Sequence, residues 1–101
     1  MIRAYEKIVL VRVGGRVQKV GYRAWTERQA GARALHGWVR NRGNGDVEAL
    51  FAGSAAIVDA MIAACWHGPS SAEVVSVSVE MADEAMLDRR GSAPFAVLPT
   101  F

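Results

Sequence analysis

The sequence predicts an α+β sandwich, an antiparallel sheet with two helices on one face. Three observations carry this expectation. Val75-Ser76-Val77-Ser78-Val79-Glu80-Met81 alternates apolar and polar residues with the period of a half-buried strand. Ile57, Val58, Met61, Ile62 and Cys65 recur at helical spacing. Asn44-Gly45, a favoured pair for a type I′ hairpin turn, stands between two apolar segments.

Taken in order, Ile8-Val9-Leu10-Val11-Arg12-Val13 is β-branched and apolar, and reads as a first strand ended by Gly14-Gly15. A polar stretch, residues 16–21, leads into helix-favouring residues from Tyr22 to about Leu35. Gly31 inside that stretch costs about 1 kcal/mol relative to Ala. Trp38–Asn41 and Val47–Phe51 flank the Asn44-Gly45 turn and should pair as antiparallel strands. Ser54 is suited to cap the second helix, whose stripe comprises Ile57, Val58, Met61, Ile62 and Cys65. His67-Gly68-Pro69 stops it. In the alternating strand, Val75, Val77, Val79 and Met81 should point inward. A polar, solvated loop from Asp83 to Ser92 precedes a short extra strand near Phe95–Leu98. The order β-α-β-β-α-β plus a final strand is the split-βαβ, ferredoxin-like pattern. At 101 residues the chain is expected to form a single domain, residues 1–101.

Composition narrows the function. Half the residues are hydrophobic and 22% are charged, as in a globular protein. No apolar run approaches the roughly 18 residues of a transmembrane helix. Residues 1–7 lack the apolar core of a signal peptide. Cys65 is the only cysteine, which excludes an internal disulfide and suits a reducing cytoplasm. It cannot form a zinc-type cluster with His36 and His67, and no metal site is expected. The net charge of +2 hides an asymmetry. Residues 1–42 hold ten of the 12 Lys and Arg and two acids, a balance of +8. Residues 43–101 carry −6. A basic half implies an anionic partner.

The junction from Gly15 to Arg23 is the candidate site. A loop entering a helix presents unpaired backbone N–H groups and the positive end of the helix dipole, a ready anion site. Glycines let successive amides curl inward as a nest, and the planar guanidinium of Arg23 suits phosphate. The P-loop pattern and the dinucleotide-binding glycine triad are both absent.

Gly15-Arg16-Val17-Gln18-Lys19-Val20-Gly21-Tyr22-Arg23 resembles the acylphosphatase signature Gly-x-Val-Gln-Gly-Val-x-Phe-Arg. The family's second signature, Gly-Trp-Val-Arg-Asn, stands unbroken as Gly37-Trp38-Val39-Arg40-Asn41. The resemblance extends from about Ile8 to Leu98. It implies a ferredoxin-like fold and hydrolysis of acyl phosphates to a carboxylate and inorganic phosphate, with no metal or organic cofactor. Carried over by position, it implies that Arg23 and the backbone N–H groups of Gln18, Lys19, Val20, Gly21, Tyr22 and Arg23 hold the phosphoryl oxygens. The resemblance likewise implies that Asn41 orients the attacking water. Two positions depart from the pattern. Lys19 replaces a glycine, at a cost of about 1–2 kcal/mol if the position needs φ > 0. Tyr22 replaces Phe, a mild change where its hydroxyl finds a partner.

The remaining residues have plainer expectations. Arg12, Arg16 and Lys19 should raise the positive potential around the loop. Arg40 and Arg42 should be solvated or ion-paired, and His36 and His67 structural or exposed. Cys65, Trp25, Trp38 and Trp66 should pack. The partners expected are an acyl phosphate and inorganic phosphate, met by a monomer, with no membrane or nucleic-acid partner. The competing class is a catalytically silent ferredoxin-like module that binds phosphate or RNA. The aromatic- and glycine-rich strand motif of RNA-binding sheets is absent.

Overall fold

The structure, a computed structural model, describes residues 4–101. Strand β1 (Lys7–Arg16) is followed by helix α1 (Tyr22–Ala32), strands β2 (His36–Asn41) and β3 (Val47–Gly53), and helix α2 (Ala55–Cys65). Strand β4 (Glu73–Met81), a 3-10 helix (Glu84–Arg90) and strand β5 (Phe95–Val97) complete the order. The sheet runs β4-β1-β3-β2-β5. Its first four strands are antiparallel, as the split-βαβ order requires, while β5 lies parallel to β2. The β1 strand runs past Gly14-Gly15 to Arg16, and the two glycines absorb a register shift instead of ending it.

Alternation along the central strands separates two cores. Val9, Val11, Val13, Val39, Val47, Ala49 and Phe51 face the helices with Val58, Met61 and Cys65. Leu10, Trp38, Leu50 and Ala52 face the opposite side. There the segment expected to be a solvated loop forms the 3-10 helix, which buries Leu87 on that face. The Trp38 indole Nε1–H donates to the Met86 carbonyl at 2.8 Å. The second face therefore has a cover of its own.

Four other expectations are corrected. In β4, Val75 and Met81 are 76% and 73% exposed and Val79 is also exposed, while Val74 and Val77 pack against the core. Val77, Val79 and Met81 pair with Val13, Val11 and Val9, but β4 is an edge strand, and α2 lies over β1 and β3 while α1 lies over β2 and β5. The register shift opposite Gly14/Gly15 turns Val75 outward. In α2 the buried stripe is Val58, Met61 and Cys65, with Ile57 41% exposed. Ser54 occupies the cap position without a side-chain bond, and the Glu6 carboxylate accepts from the Ala55 N–H instead. Trp66, expected to pack, is half-exposed just beyond that helix.

The hairpin between β2 and β3 forms with a different turn. The Gly45 N–H donates to the Arg42 carbonyl, and the Arg42 N–H donates to the Asp46 carbonyl at 2.8 Å. Only Gly45 has positive φ (100°), whereas Asn44 does not, so the loop is a four-residue turn closed by a glycine and not type I′. The Asn44 side chain instead accepts from the Asp46 N–H at 3.0 Å.

Candidate active site

Chain reversal at residues 17–21 builds the site. Lys19 has φ 63° and Gly21 φ 81°, and alternating handedness of this kind curls a backbone into an amide nest. Gly21 then serves as N-cap of α1 without a side-chain cap bond, and its carbonyl accepts from the Trp25 N–H at 3.0 Å. Among the described residues no backbone carbonyl accepts from the N–H groups of Gln18 to Arg23. The first turn of α1 holds no acidic residue. The dipole and the donors thus face solvent uncompensated.

Two anchors hold this loop. Val17 is buried in the core. The Gln18 side-chain amide donates to the carbonyls of Arg42 and Asp46 at 2.8 and 2.9 Å, tying the loop to the β2–β3 turn. On the other side, the Tyr22 hydroxyl donates to the Cys65 carbonyl at 2.6 Å, joining the start of α1 to the end of α2. This is the partner that a Tyr at that position needed. Burial, chiefly, raises the pKa of Tyr22, and burial pushes the Cys65 thiol up to about 11. Both side chains are structural acids held neutral.

Asn41 ends β2 on the face shared with Val39 and Val47, toward the loop. Its carbonyl accepts from the Phe101 N–H at 3.0 Å, and the Leu98 N–H donates to the Val39 carbonyl at 2.8 Å. The tail therefore runs beside β2 to its end. Arg23, Asn41, Lys19 and Gly21 line one cleft of about 370 Å³, closed by Glu27 and Val97. Tyr22 also lines the cleft, whereas the Gln18 side chain reaches past it and Val20 packs against the core.

The basic residues separate into two groups. Glu48 is fully buried, and β1 and β2 bring Arg12 and Arg40 directly opposite it. Its carboxylate accepts from Arg12 at 3.1 Å, Arg40 at 2.8 Å and Arg42 at 3.0 Å. Burial alone would raise the Glu48 pKa, but the Arg40 and Arg12 hydrogen bonds and the Arg40 and Arg42 charges outweigh it and lower the pKa. Phe101 stacks on the Arg40 and Arg42 guanidiniums at 4.3 and 4.9 Å. Arg12, expected to add field around the loop, is committed to Glu48. Among the described residues no ion pair involves Arg16, Lys19 or Arg23. Sequence reasoning missed the Gln18 brace and the Glu48 hub. The hub has a signal in the chain, a lone acid inside the apolar Val47–Phe51 strand, opposite Arg40 across the hairpin.

Known proteins share this fold. A model of the acylphosphatase family matches residues 9–90. An acylphosphatase of Bradyrhizobium diazoefficiens is 57% identical over 95 residues, covering 92% of this chain and 95% of its own. The solved acylphosphatase of Coxiella burnetii superposes with a TM-score of 0.82 at 28% identity, covering 96% of this chain and all of its own. That of Bacillus subtilis gives 0.79 at 31% identity, covering 90% and 97%. No helix among the described residues is long and apolar enough to cross a membrane. With the fold, both signatures and these likenesses in agreement, the chain belongs to the acylphosphatase family, enzymes that hydrolyse acyl phosphates to a carboxylate and inorganic phosphate.

Proposed function

We propose that Arg23 and the backbone N–H groups of Gln18 to Arg23 hold the phosphoryl group of an acyl phosphate while the Asn41 side chain places the attacking water. The observation that carries this reading is one cleft in which an uncapped helix start, Arg23 and Asn41 meet. Phosphoryl transfer spreads charge over the equatorial oxygens, which fixed amides and a guanidinium stabilise without reorganising. Water attacks phosphorus, and the bond from phosphorus to the acyl oxygen breaks. The carboxylate leaves with the electron pair, and the water proton passes to a phosphate oxygen. A carboxylate is a good leaving group, so the reaction needs neither a strong general acid nor a metal Lewis acid. An amide cannot take the proton, but its donor and acceptor atoms orient water in line.

Arg23, the loop and Asn41 meet in one cleft of one fold, which supports a single-domain enzyme that needs no second copy to complete its site. The lone, buried Cys65 suits a reducing, cytoplasmic setting. Steady-state hydrolysis of acetyl phosphate tests the assignment. Arg23→Ala should raise KM and lower kcat, and Asn41→Ala should lower kcat by at least a hundredfold with folding intact. A chelator should leave the rate unaltered. Chelator-sensitive turnover would contradict the metal-independent reading, and salt-sensitive RNA binding without turnover would favour a binding module.

A further inference from the structure

We propose that the groove between α1 and β5 is a subsite for the acyl group, which selects uncharged aliphatic acyl phosphates over those ending in a carboxylate. The proposal rests on the hydrolase reading above. A second cleft, of about 490 Å³, adjoins the phosphate cleft, and Glu27 lines both. One wall is a single stripe of the first helix and its exit, Glu27, Gly31 and Ala34. Together with Arg23 these residues recur every three to four positions and so share one face. The other wall is Leu35, Pro94 and Phe95. On β5, Phe95 lines the groove and Val97 lines the phosphate cleft, two residues apart on one face of the strand. A continuous trench therefore leads from the phosphate cradle along apolar surface.

The register along α1 sets the chemistry. Glu27 lies four residues beyond Arg23, about 6 Å along the helix axis. It is exposed at the junction of the two clefts, so an acyl chain leaving the cradle must pass its carboxylate. A chain carrying its own carboxylate meets like-charge repulsion there, while methylenes do not. At the far end, His36 holds its Nδ1 3.2 Å from the Arg90 guanidinium, and Arg90 itself does not line the groove. Gly31 leaves the floor open, since a Cβ built there meets nothing within 4 Å.

The test compares acetyl, butyryl, hexanoyl and succinyl phosphates on the full chain. Butyryl and succinyl phosphates have equal carbon counts and differ by one terminal carboxylate. Wild-type kcat/KM should rise from acetyl to hexanoyl and favour butyryl over succinyl by at least fivefold. Glu27→Gln should narrow the butyryl-to-succinyl ratio by at least threefold. Gly31→Leu, which fills the groove from an open helix surface, should lower the hexanoyl-to-acetyl ratio by at least tenfold. Failure of the wild type to hydrolyse acetyl phosphate would refute the hydrolase reading itself. Acetyl phosphate turnover with both ratios unmoved by the two substitutions would overturn the subsite alone.

Discussion

Lys19 is the residue at which backbone strain and chemistry can be separated. Its φ of 63° lies in the left-handed region, where a side chain costs about 1–2 kcal/mol. Lys19→Gly removes that cost but returns about 0.5–1 kcal/mol to the unfolded chain as glycine entropy. Lys19→Ala keeps the strain and deletes the side chain beyond Cβ, the ammonium included. The Gly variant should therefore exceed the Ala variant in stability by about 1 kcal/mol, roughly 5 °C in Tm for a chain of this size. Thermal and urea unfolding of the three proteins read this difference directly. Lys19 is exposed and lines the phosphate cleft, so acetyl phosphate kinetics are measured alongside. The Gly variant should match or exceed wild-type kcat/KM, because an amide nest needs backbone geometry and not a side chain. A Gly variant no more stable than the Ala variant would refute the strain argument. A tenfold loss of kcat/KM in both would show that the ammonium itself binds substrate.

Tyr22→Phe deletes the hydroxyl that donates to the buried Cys65 carbonyl and should cost about 1–2 kcal/mol in urea unfolding. Glu48→Gln leaves three guanidiniums around a neutral amide and should destabilise by about 3 kcal/mol in the same assay. Because the Glu48 pKa is lowered on folding, its stabilisation is fully present above the unfolded carboxyl value of about 4.3 and is lost as pH falls through the folded value. Urea midpoints should drop steeply below that pH in the wild type, and the Gln variant should lose that component of the drop. Gln18→Ala removes both ties to the β2–β3 turn and should lower kcat/KM for acetyl phosphate several-fold.

What was readable in the chain was what local periodicity and turn chemistry encode. Pairs such as Asn44-Gly45 and the β-branched runs locate hairpin and strands, and the helix stripe locates α2, because those preferences act over a few neighbouring residues. The two signatures likewise located Arg23, Asn41 and the loop between residues 15 and 23. Errors fell where a distant element decides. Alternation in Val75–Met81 is genuine, but burial depends on whether a helix covers that strand, and β4 is an edge. Ser54 is a good cap by type, yet Glu6 from the start of the chain took the Ala55 N–H. The polar stretch after Met81 looked solvated, because its few apolar residues, Met86 and Leu87, acquire meaning only when the opposite face of the sheet needs covering.

The charge asymmetry shows the same division. Ten basic residues in the first 42 were countable from the chain and implied an anionic partner. Register across three strands then turned Arg12, Arg40 and Arg42 toward one buried carboxylate, leaving Arg16, Lys19 and Arg23 outside the ion pairs of the described residues. The sequence by itself determined the order of elements, the loop that enters α1 and the reaction class, since each is written in contiguous residues. Only the tertiary structure decided which charges are neutralised, that Gln18 braces the loop, and that α1 and β5 enclose a trench. Each of these joins residues far apart in the chain, and pairing and packing geometry, not local preference, sets their distances.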